Sequence, residues 1–384
     1  YLTDGEFVLI GEDAAPFLDS GKNVAYLIRG KTWVNNHAHV LKSRFNNKYL
    51  CHFLNQFNYK DFVTGTTRLK LTQGAMKRMP IKIAPLPEQR AIVARIEELF
   101  SELDHAIVNL KSAQAKLEIY RQAVLKKAFE GGFGKMKNQI GLPEGWRFVN
   151  FKELILGSPQ NGLYRPSSDY GSGSKILRID GFYEGVILSD YDYKRVEIDE
   201  STIDKYSLEL GDIVVNRVNS MSHLGKSGLI NKLSEETVFE SNIMRIKINQ
   251  AIANPNYVVH FISSRQGILE LTKNAKQAVN QASINQTDVA NAIIPLPPIE
   301  EQYLIVQEIE SRLSVADKLA ETIQTNLLKS ESLRQSILKQ AFEGKLLTEA
   351  ELEACRKEAD WEPAEKLLER IKKGKAITKS NKNV

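Results

Sequence analysis

Several groups of side chains in this sequence are of types that do chemistry. His37 and His39, with Cys51 and His52 close behind, are metal-ligating types. A His-x-His pair on a strand puts both rings on one face. Neither a Cys-x-x-Cys nor a His-Glu-x-x-His spacing accompanies it, and His52 lies in an apolar Tyr-x-x-His-Phe stretch that reads as one side of a helix. A packing role is expected for these residues, and no metal. Gly225-Lys226-Ser227 resembles the end of a phosphate-binding loop. The glycine that such a loop needs five positions earlier is replaced by Ser220, and Gly228-Leu229-Ile230 does not open a helix, so nucleotide binding is not expected. Asn254-Pro255-Asn256-Tyr257 is near the Asn-Pro-Pro-aromatic turn with which amino-methyltransferases grip a target amine. Its third residue is Asn256, and no Gly-rich cofactor loop precedes it, so a turn into a helix is expected. No Ser/His/Asp order, paired-carboxylate context or dinucleotide fingerprint stands out, and the expectation is a chain without catalytic residues.

The types that remain are those that read nucleic acid. Arginine pairs with guanine, and asparagine or glutamine with adenine, through two hydrogen bonds in the major groove. Loops rich in such residues carry Thr66, Thr67, Arg68 and Lys70 early in the chain. Later ones carry Arg217, Asn219, Ser220, His223 and Lys226, then Asn280, Gln281 and Ser283. These are the candidate DNA-binding residues.

The elements that must position them come from a duplication. Residues 85–131 set over 298–344 at a constant offset of 213, without a gap, with 19 of 47 positions identical. The densest identity is Ala128-Phe129-Glu130-Gly131 with Ala341-Phe342-Glu343-Gly344. Both copies read as helix. Ile92, Ile96, Leu99, Leu103, Ile107, Leu110, Leu117, Tyr120, Val124 and Ala128 recur mostly at spacings of three and four, as do Val306, Ile309, Leu313, Ala316, Ala320, Ile323, Leu327, Ile337 and Ala341. Prolines stand at the entry of each copy, and Gly131 and Gly344 at the exit. About 42 helical residues make a rod of roughly 60 Å. A narrow apolar seam of that length needs a partner helix, and the expected partner is the other copy, lying antiparallel.

The globular parts repeat more faintly. Asn46–Leu54 sets over Asn254–Ile262, sharing Asn46/Asn254, Tyr49/Tyr257, His52/His260 and Phe53/Phe261, and Gly65–Ile81 matches Ala278–Ile294 in position. Strand-like runs occur at Phe7–Ile10, Ile213–Val215 and Ile243–Ile248. The predicted fold is α+β, with globular parts at 1–84 and 145–294, long helices at 85–131 and 295–346, a linker at 132–144 and a helical, basic tail at 347–384. Phe7–Ile10 falls where Ile213–Val215 falls in the second copy, so the first globular part is expected to be incomplete at its front.

Composition agrees with a globular, non-membrane chain: 42% hydrophobic, 26% charged and two cysteines far apart in sequence. No run approaches the roughly 18 apolar residues of a membrane span. No leader opens the chain, and a cytoplasmic location is expected. The net charge of +5 is concentrated at the front: residues 1–84 carry 12 Lys and Arg against 6 Asp and Glu, a balance compatible with a phosphate backbone.

At this point the residues resemble a family. Pro295-Leu-Pro-Pro-Ile-Glu-Glu-Gln302 with the helix after it and Ser336–Leu346, and Pro85–Gly131 in the centre, are similar to the two conserved regions of a Type I restriction-modification specificity subunit. Leu142-Pro-Glu-Gly-Trp146 resembles the opening of a target-recognition domain, Gly211–Arg217 with Gly225–Leu229 its middle, and Trp361–Lys373 the tail of one branch of the family. The resemblance covers essentially the whole chain. It implies two target-recognition domains, the first N-terminally incomplete, separated by two long helices that form an antiparallel coiled coil. It implies a bipartite double-stranded DNA target, two methyltransferase (modification) subunits held by the chain, and restriction/translocase subunits joining them. It implies a non-catalytic subunit of a DNA adenine methyltransferase and ATP-dependent endonuclease, with no cofactor or metal bound by this chain. S-adenosylmethionine, ATP and Mg2+ would be used by the partner subunits. The alternative is a coiled-coil interaction protein that does not read DNA sequence.

Overall fold

The computed structural model describes residues 3–19, 21–131, 143–188, 191–279 and 281–380, with 374–380 described by backbone only. The linker residues 132–142, including Leu142, and the candidate Asn280 lie outside the described residues. The chain divides into two compact units, Tyr1–Gln114 with Glu321–Val384, and Ala115–Ala320.

The first unit opens with strands β1 (Phe7–Gly11), β2 (Ala25–Ile28) and β3 (Ala38–Leu41), in the order β2-β1-β3 and antiparallel throughout. Val8 and Ile10 of β1 are fully buried while Phe7 and Leu9 are half-buried, the alternation of a strand with one face on a core. Helix α1 (Asn47–Gln56) starts where the Asn46 side chain accepts from the Tyr49 N–H at 3.1 Å, an N-cap that replaces a missing intrahelical partner. It packs Tyr49, Leu50, Phe53 and Leu54 into the same core. A single turn, α2 (Gln73–Met76), is capped by Thr72 and leads towards the long helix α3 (Leu86–Phe129).

The second unit runs β4 (Arg147–Asn150), β5 (Gln160–Asn161), β6 (Tyr170–Leu177), β7 (Phe182–Tyr183), β8 (Gly185–Ile187), β9 (Lys194–Val196), α4 (Glu200–Tyr206), β10 (Ile213–Asn216), β11 (Val218–Asn219), β12 (Ser227–Leu229), β13 (Thr237–Phe239) and β14 (Ile243–Ile246). It continues through α5 (Pro255–Ser263), α6 (Arg265–Thr272), β15 (Lys276–Ala278), β16 (Gln281–Ser283), α7 (Gln286–Ala290) and β17 (Ile293–Leu296) into the second long helix, α8 (Ile299–Phe342). A six-stranded sheet, β5-β14-β10-β12-β8-β7, forms its centre, with smaller sheets β13-β6-β9, β11-β16-β15 and β17-β4. After α8 come α9 (Glu349–Arg356) and α10 (Ala364–Ser380), which belong to the first unit.

The repeat in sequence is a repeat in structure. β10 lies between antiparallel β12 and β14, as β1 lies between β2 and β3. α2 and α7 begin at Gln73 and Gln286, which are 213 residues apart, and α3 and α8 begin and end at that same offset. The shared side chains do the same work in each copy. The Tyr49 hydroxyl donates to the Lys82 carbonyl at 3.2 Å, and the Tyr257 hydroxyl to the Pro295 carbonyl at 2.6 Å. Phe342 packs its ring against Tyr49 and Phe53, and Phe129 packs against Tyr257 and Phe261. The Ala-Phe-Glu-Gly signature therefore ends each helix by seating a phenylalanine in a globular core. The glutamines of the repeated Glu-Gln pair are fully buried. Gln89 donates to the Ala84 carbonyl, and Gln302 to those of Ile252 and Pro297 while accepting from the Asn254 N–H.

Each long helix is shared between the units. Within the first unit, Ile92, Val93 and Ile96 near the start of α3 pack with Ile337, Leu338, Ala341 and Phe342 at the end of α8, and Arg334 pairs with Asp104. Within the second, Val124, Leu125, Ala128 and Phe129 pack with Ile305, Val306 and Ile309, and Arg121 pairs with Asp317. In both units the helices run antiparallel, and the two ion pairs are images of each other in the repeat. The apolar seam has a gap in α8 between Leu327 and Ile337. Ser330 lies buried there, its hydroxyl donating to the Asn326 carbonyl at 2.8 Å. Tyr120, expected on the seam of α3, is 40% exposed instead, and Leu117 is half-buried. No helix among the described residues is long and apolar enough to cross a membrane.

Candidate nucleic-acid interface

The structure gathers most of the later candidates around one small sheet. β11 pairs with β16 through Val218↔Ser283 and Asn219↔Ala282, and β16 turns back on β15 through Lys276↔Ser283, Gln277↔Ala282 and Ala278↔Gln281. Side chains opposite each other share a face. Ser283, Gln281, Lys276 and Ala278 therefore stand on one face, and Asn219, Ala282 and Gln277 on the other. Ala282 is buried and roots the hairpin, while all three residues of β15 are exposed. A strand with no buried residue is a ribbon held out into solvent.

Beside it, the turn after β11 is organised by its own side chains. The Asn219 side chain accepts from the Ser220 N–H at 2.7 Å, and His223 Nδ1 lies 3.0 Å from the Ser220 hydroxyl and 2.9 Å from that of Ser222. Arg217 behaves differently. It is half-buried, and its guanidinium donates to the Ser241 carbonyl at 2.8 Å, pinning the loop from behind. Lys226 is also set apart from the hairpin. Its ammonium lies 4.0 Å from the centre of the Tyr183 ring, and burial lowers its pKa while Glu184 pulls the other way. Ser227 opens strand β12, so Gly225-Lys226-Ser227 has no helix after it to complete a phosphate loop.

The early candidates occupy the counterpart of the hairpin. Thr64 and Lys70 bridge each other, and Lys70 also bridges Asp13 just after β1. Between them Gly65, Thr66, Thr67 and Arg68 are all exposed. Gly65 has φ +98°, and a Cβ there would stand 2.4 Å from the Arg68 carbonyl oxygen, so the turn needs glycine. At the 213-residue offset Thr66 matches Val279, Arg68 matches Gln281 and Lys70 matches Ser283. The half-buried Leu69 takes the place of Ala282 as the root. Both units thus raise an exposed polar hairpin at the same point of the repeat. In the first, Arg68 pairs with Asp13 at 3.1 Å and Lys70 with Glu12 at 3.2 Å, so two of its basic charges are held by carboxylates at its base.

Sequence reasoning missed Lys276, Gln277 and Val279 on the later hairpin. A signal was available for Val279, the offset partner of Thr66, whereas Lys276 and Gln277 match Val63 and Thr64, which are not among the candidates of the first copy.

The other motifs resolve into structural roles. His37 Nδ1 lies 3.0 Å from Asp13, and His39 Nε2 lies 2.8 Å from the Leu71 carbonyl. Among the described residues no group of three or more His, Cys, Asp or Glu side chains is placed to hold a metal. His52 stacks edge-on to Phe100 in α3. Asn254 caps α5, with Pro255 in its first turn, as a turn into a helix requires.

Residues 1–111 and 143–329 match the protein family described as the Type I restriction modification DNA specificity domain. The chain is 27% identical over 341 residues to the Type I restriction enzyme EcoKI specificity subunit of Escherichia coli K12, covering 87% of this chain and 73% of the relative. It is 31% identical over 238 residues to the putative type I restriction enzyme MjaX specificity subunit of Methanocaldococcus jannaschii, covering 60% and 54%. Among solved structures it is similar to the HsdS subunit from Thermoanaerobacter tengcongensis, with TM-score 0.55 and 20% identity over 90% of this chain and 82% of that one. A chain from a structural study of complex assembly and conformational transition of the type I R-M system gives TM-score 0.68 at 20% identity, over 88% and 82%. These two likenesses bear on the fold.

Proposed function

The chain belongs to the Type I restriction-modification DNA specificity family, and from that premise we propose that its two repeated hairpins read the two parts of a bipartite DNA target. It is a specificity subunit of a type I system, a subunit that recognises DNA while catalysis resides in partner subunits.

The observation that carries the reading is the exposed hairpin raised at the same repeat position in each unit, at Gly65–Arg68 in the first and at Ala278, Val279 and Gln281 in the second, rooted by Leu69 and Ala282. A two-stranded ribbon fits the major groove of B-DNA. Lys276, and Arg68 and Lys70 when DNA phosphates draw them from Asp13 and Glu12, would neutralise backbone charge, which places the protein without specifying sequence. The Gln281 amide, on the same face as Lys276, carries a donor and an acceptor in one plane, the pattern that pairs with adenine N7 and N6. The Asn219–His223 turn offers further donors and acceptors beside the ribbon. Arg217 supports the turn from within, through its bond to the Ser241 carbonyl.

The chain acts with other subunits and DNA. In the proposed assembly, two methyltransferase subunits and the restriction/translocase subunits carry S-adenosylmethionine, ATP and Mg2+, and this chain supplies address and geometry. The test is selection of bound duplexes from a randomised pool by the chain assembled with its modification subunit. Recovery of one two-part sequence is expected. Recovery of sequence-random DNA, or of none, overturns the reading and leaves a coiled-coil scaffold.

A further inference from the structure

We infer that Val279, at the tip of the β15–β16 hairpin, reads the C5-methyl group of a thymine. The inference rests on the proposed reading of DNA by these hairpins and names one chemical feature that the second unit recognises.

Val279 is 91% exposed, more than any other large apolar side chain among the described residues. It occupies the two-residue connection between Ala278 and Gln281, a position where Gly, Asn and Asp are favoured and a β-branched residue gains nothing from the turn itself. It gains nothing from the core either, because the root of the hairpin is Ala282 two positions past the turn. Its apolar surface is therefore available only to something that meets the tip.

The offset partner of Val279 in the first unit is Thr66, which is also β-branched, exposed and at a hairpin tip. The two hairpins differ at most other positions yet both present a branched methyl there. In the major groove the one apolar feature of a base pair is the thymine methyl. It belongs to an A·T pair whose other half shows the adenine N7 and N6 that suit an amide. Gln281 stands directly after the turn, so a branched methyl and a planar amide are offered side by side at the tip. Lys276 follows at the base of the ribbon for the backbone.

The test uses the duplex selected by the assembled complex, with each thymine replaced in turn by deoxyuridine, which removes only the methyl. One thymine in the half-site read by the second unit is expected to weaken binding about four-fold when replaced, the worth of one buried methyl group. In Val279→Ser the same replacement is expected to change nothing, while Leu210→Ser, a substitution at another exposed apolar side chain, keeps the four-fold loss. A half-site without thymine, no loss at any uracil, or an undiminished loss in Val279→Ser overturns the inference while leaving sequence-specific binding intact. Failure to select any sequence at all strikes the proposed function itself, and the two failures are distinguishable.

Discussion

The indole N–H of Trp361 donates to Glu88 at 3.3 Å, and the indole N–H of Trp146 donates to Glu301 at 3.1 Å. Glu88 and Glu301 are the same position of the repeat, in the first turn of α3 and of α8. The tryptophans are not repeat partners: one opens the second globular part and the other lies in the tail after α8. The tail thus gives the first unit the contact that an opening segment gives the second. Arg90 adds to it by pairing with Glu358 at 2.6 Å and with Asp360 at 2.8 Å. Trp361→Phe is expected to cost about 1 kcal/mol, the net worth of one such hydrogen bond. Hydrogen exchange at residues 86–92 measures it. Unchanged protection there contradicts a docking role for the tail.

The two signature phenylalanines are expected to be the most sensitive positions of the long helices. Phe129 and Phe342 are buried against two aromatic rings each. Phe129→Ala and Phe342→Ala each leave a cavity and are expected to destabilise their own unit by about 3–5 kcal/mol. Unfolding followed by limited proteolysis assigns the loss. Phe129→Ala should expose the second unit first and Phe342→Ala the first.

Alkaline conditions should weaken the first unit in two steps. Burial pushes the Cys51 thiol from 9.0 up to about 11, and burial, opposed by a backbone hydrogen bond, pushes the Tyr49 phenol from 10.0 up to about 12. Both groups are neutral when folded and ionise more readily when unfolded. Their contribution is complete below the unfolded value and is lost as pH rises to the folded one. Stability is expected to fall from pH 9 through Cys51 and from pH 10 through Tyr49. Cys51→Ala should lessen the first decline, to which Cys355, its thiol also pushed up by burial, contributes the rest. Intact Cys51 should also resist thiol reagents near pH 8 until the unit unfolds. Rapid labelling at that pH contradicts its burial.

The salt dependence of binding distinguishes charge from reading. Lys276→Gln is expected to reduce the slope of log K against log salt by about 1 and to weaken binding evenly across sequences. Gln281→Ala should leave the slope unchanged and relax the preference at one base pair. Equal effects of both on the slope contradict the division of roles along the hairpin.

The sequence made the long helices legible because their spacing and their duplication reinforce each other, down to shared ends at a fixed offset. The correspondence of Asn46–Leu54 with Asn254–Ile262, the shared Ala-Phe-Glu-Gly ends and the strand at Phe7 were visible for the same reason. The site was legible in part. The exposed tips of both hairpins lie at the offset that relates the helices, and the polar residues around them stand out by type. Val279 was marked by its offset from Thr66 but not by its type, because a β-branched residue in an apolar–polar alternation reads as strand interior rather than as a tip. The ion pairs of Arg68 with Asp13 and Lys70 with Glu12 join residues 55 or more positions apart, and a charge count sees only their sum. Lys226 was singled out for its motif, whereas Tyr183, which holds it, lies 43 residues earlier. The contact of Trp361 with Glu88 spans 273 residues and follows no pattern in either segment.

Reading of a two-part DNA sequence by two separate hairpins is tested most directly by mapping methylated bases in cells that carry the modification subunit and either this chain or a chimera. In the chimera, residues 145–294 are replaced by the corresponding segment of another specificity subunit. A two-part methylated sequence is expected in which one part changes with the exchange while the other part stays. An identical methylated sequence before and after the exchange would contradict it.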